Sequence, residues 1–235
     1  MQGNTHRCGG ILFGAAVSAV AIPLVHIQNP IPVAGVMMMG GAIGSLIPDI
    51  DHEGSLIGRK MKPVSHVVRK VCGHRGYTHS LLALFIYSLI CMGLSKVIIH
   101  ACEGETDFSN KIFLGIVTAL ILGSAAFFVL NRMHHIVKKN EVVKIVGLIC
   151  LVGFVGAIID TSLILHYVPF YLIGSMVGYF SHLVLDMLTV SGVPLFKPFT
   201  DHMFRIAKLR TGEVEGKVSA VCIILTFVCL FIIVK

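Results

Sequence analysis

Long apolar runs separated by short polar loops constrain this chain more than any other feature. A helix needs about 20 apolar residues to cross a bilayer core, where its backbone groups must bond internally. Candidate spans cover 9–25, 33–47, 80–99, 112–130, 142–165, 168–188 and 218–234. They run from end to end, so a single integral membrane domain over 1–235 is expected. Composition agrees, with 55% hydrophobic and 13% charged residues and a mean hydropathy of +0.87. A soluble domain carries roughly 25% charged residues. The expected fold is all-α, a polytopic transmembrane helical bundle of about seven helices. The first run has no small-residue cleavage site followed by a soluble domain, so it reads as a retained helix rather than a signal peptide.

The charged residues orient this bundle. Basic side chains stay on the cytosolic side of a membrane protein. Arg7 precedes the first span; Arg59, Lys60, Lys62, Arg69, Lys70 and Arg75 lie between the second and third. Arg132, Lys138, Lys139 and Lys144 fall near the loop between the fourth and fifth, and Lys197, Arg205, Lys208, Arg210 and Lys217 precede the last. These alternate loops hold 16 of the 19 basic residues. The loop around 100–111 is acidic instead, with Glu103, Glu105 and Asp107. The amino terminus is therefore expected in the cytosol and the carboxyl terminus outside. The same distribution explains the net charge of +7 without nucleic acid. The seven cysteines lack a CxxC pair and lie mostly in apolar runs, which reads as packing rather than a disulfide framework. A stretch over 63–72 has the pattern of an interfacial helix.

Four polar clusters interrupt the apolar pattern: Thr5-His6, Pro48-Asp49-Ile50-Asp51-His52-Glu53, His74-Arg75-Gly76-Tyr77-Thr78-His79-Ser80 and Ser181-His182-Leu183-Val184-Leu185-Asp186. His182 and Asp186 are four apart and share one helix face. Ionisable groups inside a span are costly and mark pairs, cavities or function. Charge bias puts all four clusters at similar depth on the cytosolic side, where helix packing can bring them together. Imidazole and carboxylate are ligand types of zinc and manganese. Candidate ligands are His6, Asp49, Asp51, His52, His74, His79, His182 and Asp186. These eight exceed the needs of one catalytic zinc, so two ions, or one with outer partners, are expected. Zn2+ is favoured and Mn2+ allowed. Arg75, with Arg59 or Lys60, is placed to bind a phosphate, and Asp51 is a candidate general base. His26, His66, His100, His134, His135 and His166 read as interfacial or solvated, His202 in the second long loop is within reach of the site, and Asp160 reads as capping or packing a helix.

At these residues the sequence resembles the YdjM family of membrane-bound metal-dependent hydrolases. The matching pieces are Thr5-His6, the stretch from Gly44 through Pro48-Asp49-Ile50-Asp51-His52, the His74 to Ser80 block, and Ser181-His182-x-x-x-Asp186 followed by Thr189 and Ser191-Gly192-Val193-Pro194. They occur in the family's order and span most of the chain. The resemblance implies a hydrolase of the bacterial inner membrane. A more distant likeness, through the His182–Asp186 step, is to zinc-dependent phospholipase C and P1 nuclease. Together these lead to an expected phosphoesterase acting on a lipid or lipid-linked phosphate at the cytosolic face. Two other readings stay open: a metal-ion transporter, and a membrane scaffold or regulator stapled by a structural metal.

Overall fold

The computed structural model describes residues 1–73, 75–102, 107–130 and 139–235. Candidate ligand His74, acidic Glu103 and Glu105, and Arg132, His134, His135 and Lys138 lie outside the described residues. The elements in order are α1 (Gly3–Val25), α2 (Pro30–Gly44), α3 (Lys62–Cys72), α4 (Leu81–Cys102), α5 (Phe108–Leu130), α6 (Lys139–Ile159), α7 (Ser162–Met187) and α8 (Glu215–Val234). Short 3₁₀ turns cover Pro48–Asp51 and Tyr77–His79. Among the described residues, β structure is confined to two isolated bridges, Thr189 with Leu209 and Val193 with Phe204. The helical bundle expected from the apolar runs is what forms.

Six stretches are long and apolar enough to cross a membrane: Gly3–Val25, Pro30–Asp51, Leu81–His100, Asn140–Ile159, Ile164–Met187 and Glu215–Val234. The seventh expected span is a shorter apolar helix over Phe108–Gly123. Several boundaries move, three of them near residues that matter for the site or the topology. Helix α1 starts at Gly3, which takes His6 into the helix. Helix α2 starts at Pro30, because proline fits the first turn, where no backbone N–H is needed. The expected break at 166–167 falls instead at Asp160, whose carboxylate accepts the Ser162 N–H at 2.9 Å and starts α7 there.

The chain divides into two compact units, Met1–Met92 with Phe170–Lys235, and Gly93–Pro169. In the second, α5 and α6 pair closely, and a Cβ on Gly115 would lie 2.7 Å from the Phe154 ring. In the first, α1, α2 and α7 meet backbone to backbone. A Cβ on Gly10 would come within 2.1 Å of the Gly41 carbonyl oxygen, and one on Gly178 within 2.1 Å of the same oxygen. One on Gly44 would come within 2.0 Å of the Ser175 carbonyl oxygen. Small residues at these crossings allow dispersion contact that lipid cannot replace. The close approach puts His6 on α1, Asp49 and Asp51 after α2, and His182 and Asp186 on α7 within reach of one another.

Candidate metal centre

The His74 to Ser80 block is a turn in which each described residue has a separate job. Gly76 is required because a Cβ there would lie 1.8 Å from the Cys72 carbonyl oxygen. Arg75 is left-handed at φ 52, a strained state for a residue with a Cβ. Its N–H donates to Asp51 Oδ2 at 3.0 Å, which helps hold the strain. The Thr78 hydroxyl donates to the same oxygen. Ser80 begins α4, its Oγ accepting the Ala83 N–H at 3.2 Å. Tyr179 on α7 donates to the Thr78 carbonyl at 2.5 Å and pins the turn to the bundle.

His79 and His182 carry the centre. Both are fully buried. His79 Nδ1 lies 3.3 Å from Asp51 Oδ2, and a carboxylate there requires Nδ1 to hold the proton. His182 Nδ1 donates to the Ser45 carbonyl at 2.6 Å. Each imidazole therefore turns an unprotonated Nε2 inward, and the two Nε2 atoms face each other at 3.2 Å. Two ring nitrogens this close share either a proton or a metal cation between them. Two carboxylates flank the pair. Asp49 Oδ1 lies 3.9 Å from His79 Nε2 and 3.8 Å from His182 Nε2. Asp186 Oδ2 lies 3.8 Å and 3.6 Å from the same atoms. Donors at zinc distances of about 2.0–2.1 Å in a tetrahedron stand roughly 3.4 Å apart. Among Asp49, His79 and His182 the separations of 3.2–3.9 Å fit three ligands of one small divalent ion with slight contraction of the site. Burial holds His79 below the usual histidine range, in the neutral form a metal ligand needs.

The other sequence candidates fall around this core. His6 is fully buried, stacked on the His182 ring at 3.7 Å, with Nε2 3.3 Å from Asp186 Oδ1. It forms a second ligand-like group with His182 and Asp186, and its buried Nδ1 has no hydrogen-bond partner. The Met1 ammonium also reaches Asp186 Oδ1, at 2.5 Å. Asp51 belongs to neither ligand-like group; it sits behind His79 with no exposure. His52 is exposed and accepts the Gly54 N–H at 3.1 Å, away from the inward-facing nitrogens. His66 pairs with Glu53 at 3.2 Å, and His202 packs on the Phe204 ring. Sequence reasoning missed Ser45 and Tyr179. Ser45 acts through its carbonyl, which any residue has, and Tyr179 reads as one more apolar helix residue.

A cleft of about 480 Å³ opens beside the centre, lined among others by Asp49, His52, Arg59, Arg75, Asn4 and Thr211. Arg75 spans both regions, with Nη2 3.5 Å from Asp186 Oδ2. Sequence comparison now bears on this arrangement. The pattern of the YdjM inner membrane protein family matches residues 1–235. The chain belongs to the YdjM family. This YdjM-family chain is 43% identical to the YvsG protein of Bacillus subtilis over 90 residues, 38% of this chain and 51% of that protein. It is 52% identical over 40 residues to the inner membrane protein YdjM of Escherichia coli, 17% of this chain and 20% of that protein. The Shigella flexneri YdjM protein gives the same values. The matched region thus spans about half or less of these relatives' length. No solved structure matches this YdjM-family chain.

Proposed function

We propose that this membrane protein is a metal-dependent hydrolase of phosphoesters, acting on a lipid or lipid-linked phosphate at the cytosolic face. The observation that carries the reading is the pair of inward-facing Nε2 atoms of His79 and His182, 3.2 Å apart between two carboxylates and beside an arginine-lined cleft. Asp49, His79 and His182 would hold one divalent ion, Zn2+ before Mn2+, leaving a fourth position for water. Such an ion supplies Lewis acidity and lowers the pKa of a water molecule toward about 7. His6 backs the site through Asp186 and is the candidate anchor of a second ion. Asp51 takes a positioning role, because its oxygen holds the His79 tautomer and it has no path to the cleft floor. Asp49 lines the cleft, so the ion it helps to hold would lie at the cleft's inner end. Arg75, helped by Arg59, binds the phosphoryl oxygens and stabilises the charge that grows on them.

Asp186, 3.8 Å and 3.6 Å from the same two Nε2 atoms, favours a second reading: as a fourth ligand it would close the site into a structural metal that staples α2, α4 and α7. Cobalt substitution separates the two. An open position makes the visible Co2+ spectrum respond to inorganic phosphate; a closed one leaves it unchanged. The enzyme reading further requires that the metal-loaded protein turn over at least one phosphoester among phospholipids and polyprenyl phosphates. An unresponsive cobalt spectrum together with no turnover would leave the structural staple as the function.

A further inference from the structure

Two surface elements flank the centre, and each combines exposed apolar side chains with basic ones. Helix α3 packs against the Pro48–Asp51 turn, which ends the span Pro30–Asp51 and carries Asp49 and Asp51. That places α3 at a membrane boundary. Val64, Val67, Val68 and Val71 fall on one stripe about 100° wide, by helical spacing. Val67 and Val71 are 60% and 73% exposed, so the stripe is not spent on the protein's own core. Lys62, His66, Arg69 and Lys70 occupy the opposite side. The second element is the segment between α7 and α8. It is tied to the His79 turn by the Leu81 N–H, which donates to the Leu195 carbonyl at 2.9 Å, and by Lys197, whose Nζ lies 5.2 Å above the Tyr77 ring. Phe199 is 90% exposed and Ile206 69%, beside Arg205 and Lys208 and beside Lys197 and Arg210, which pair with Asp201 and Glu213.

We infer that α3 and the α7–α8 segment are membrane-interface elements that bind anionic lipid of the protein's own bilayer. A helix with an apolar stripe and a basic opposite face lies in the interface plane, its apolar side about 5–10 Å into the headgroup and acyl boundary. Basic residues in that position draw negatively charged headgroups to the surface. Here they draw them beside Asp49, at the mouth of the cleft. A protein partner for the same surface would have to match two elements that share exposed apolar tips and positive charge. A negatively charged leaflet matches both without further assumption. The inference holds whether or not the centre is hydrolytic.

The chain contains no tryptophan, so a single introduced one reports only its own surroundings. Val67→Trp, Phe199→Trp and Lys70→Trp variants would be reconstituted with brominated lipids, which quench on contact. The expected result is strong quenching of the Val67→Trp and Phe199→Trp proteins, of the order of half the emission at the depth given above, and weak quenching of Lys70→Trp. When only phosphatidylglycerol is brominated, quenching of Val67→Trp should exceed that with equally abundant brominated phosphatidylcholine by roughly twofold, reflecting charge attraction. Adding Lys62→Gln, Arg69→Gln and Lys70→Gln should abolish that preference. Quenching of Val67→Trp by aqueous acrylamide instead of bromolipid overturns the inference. Shielding from both quenchers overturns it in favour of a protein cover, such as a second copy. Equal quenching by the two lipids overturns the anionic assignment.

Discussion

The histidines of the centre show how outer partners decide what an inner atom can do. His79 and His182 are ligand-competent because Asp51 and the Ser45 carbonyl take their Nδ1 protons. Asp51→Asn keeps the shape but loses the charge that holds this tautomer. Metal affinity should fall about 10–100-fold, the usual cost of such a partner, while the helical circular dichroism stays unchanged. Chelator competition measures it, and an unaltered affinity would remove Asp51 from the site. His79→Ala with His182→Ala should lose the bound metal altogether by elemental analysis; retention of a full equivalent would end the convergence argument. Arg75 makes a different test. Arg75→Gly relieves a left-handed backbone by about 1–2 kcal/mol yet removes the guanidinium beside Asp186. The variant should hold or gain thermal stability while losing phosphate affinity. A stability loss with intact phosphate affinity would show that Arg75 serves the fold.

At the scale of elements, glycine replaces the oily interface a soluble bundle would use. Helices α1, α2 and α7 approach so closely that an added methyl at Gly178 would overlap the Gly41 carbonyl. Gly178→Ala should therefore lower the thermal midpoint in detergent, with a cost of about 1–3 kcal/mol for overpacking. It should also weaken metal binding, because α7 carries His182 and Asp186 four residues apart on the face turned to α2. By contrast, Gly147→Ala meets nothing within 4 Å and should leave both properties unchanged. Equal behaviour of the two variants would show that the helix crossing is slack. Much at this scale was legible beforehand. Apolar length located the helices, and the position of Asp160 marked a cap. The break near 166–167 was misjudged because His166 and Tyr167 look like interface residues, whereas a capping carboxylate six residues earlier had already restarted the helix.

For the whole molecule, the charge pattern makes one global prediction. Counting the shorter apolar helix in α5 as a seventh crossing, a reporter fused after Lys235 should lie outside and one fused before α1 inside. Alkaline phosphatase activity, which needs the exterior, should be high in the first fusion and absent in the second. The reverse pattern would move the centre to the outer face and withdraw the cytosolic substrate. The site draws its described residues from α1, the end of α2, the turn before α4 and α7, all within the unit Met1–Met92 with Phe170–Lys235.

Sequence alone determined that the chain is a helical membrane protein and which polar residues interrupt its spans, and its loop charge set the expectation that they share the cytosolic side. Those conclusions follow from local quantities: hydrophobic length, helical spacing and loop charge. Only the tertiary structure decided which of the seven described candidate ligands face inward. It did so through a backbone carbonyl, a glycine crossing and a left-handed arginine, none of which has a distinctive residue pattern. Asp49 and Asp51 are two apart and chemically identical, yet one reaches the cleft and the other is buried behind His79. Their difference comes from the 3₁₀ turn that aims them apart, and a ligand's role is set by where its oxygen points.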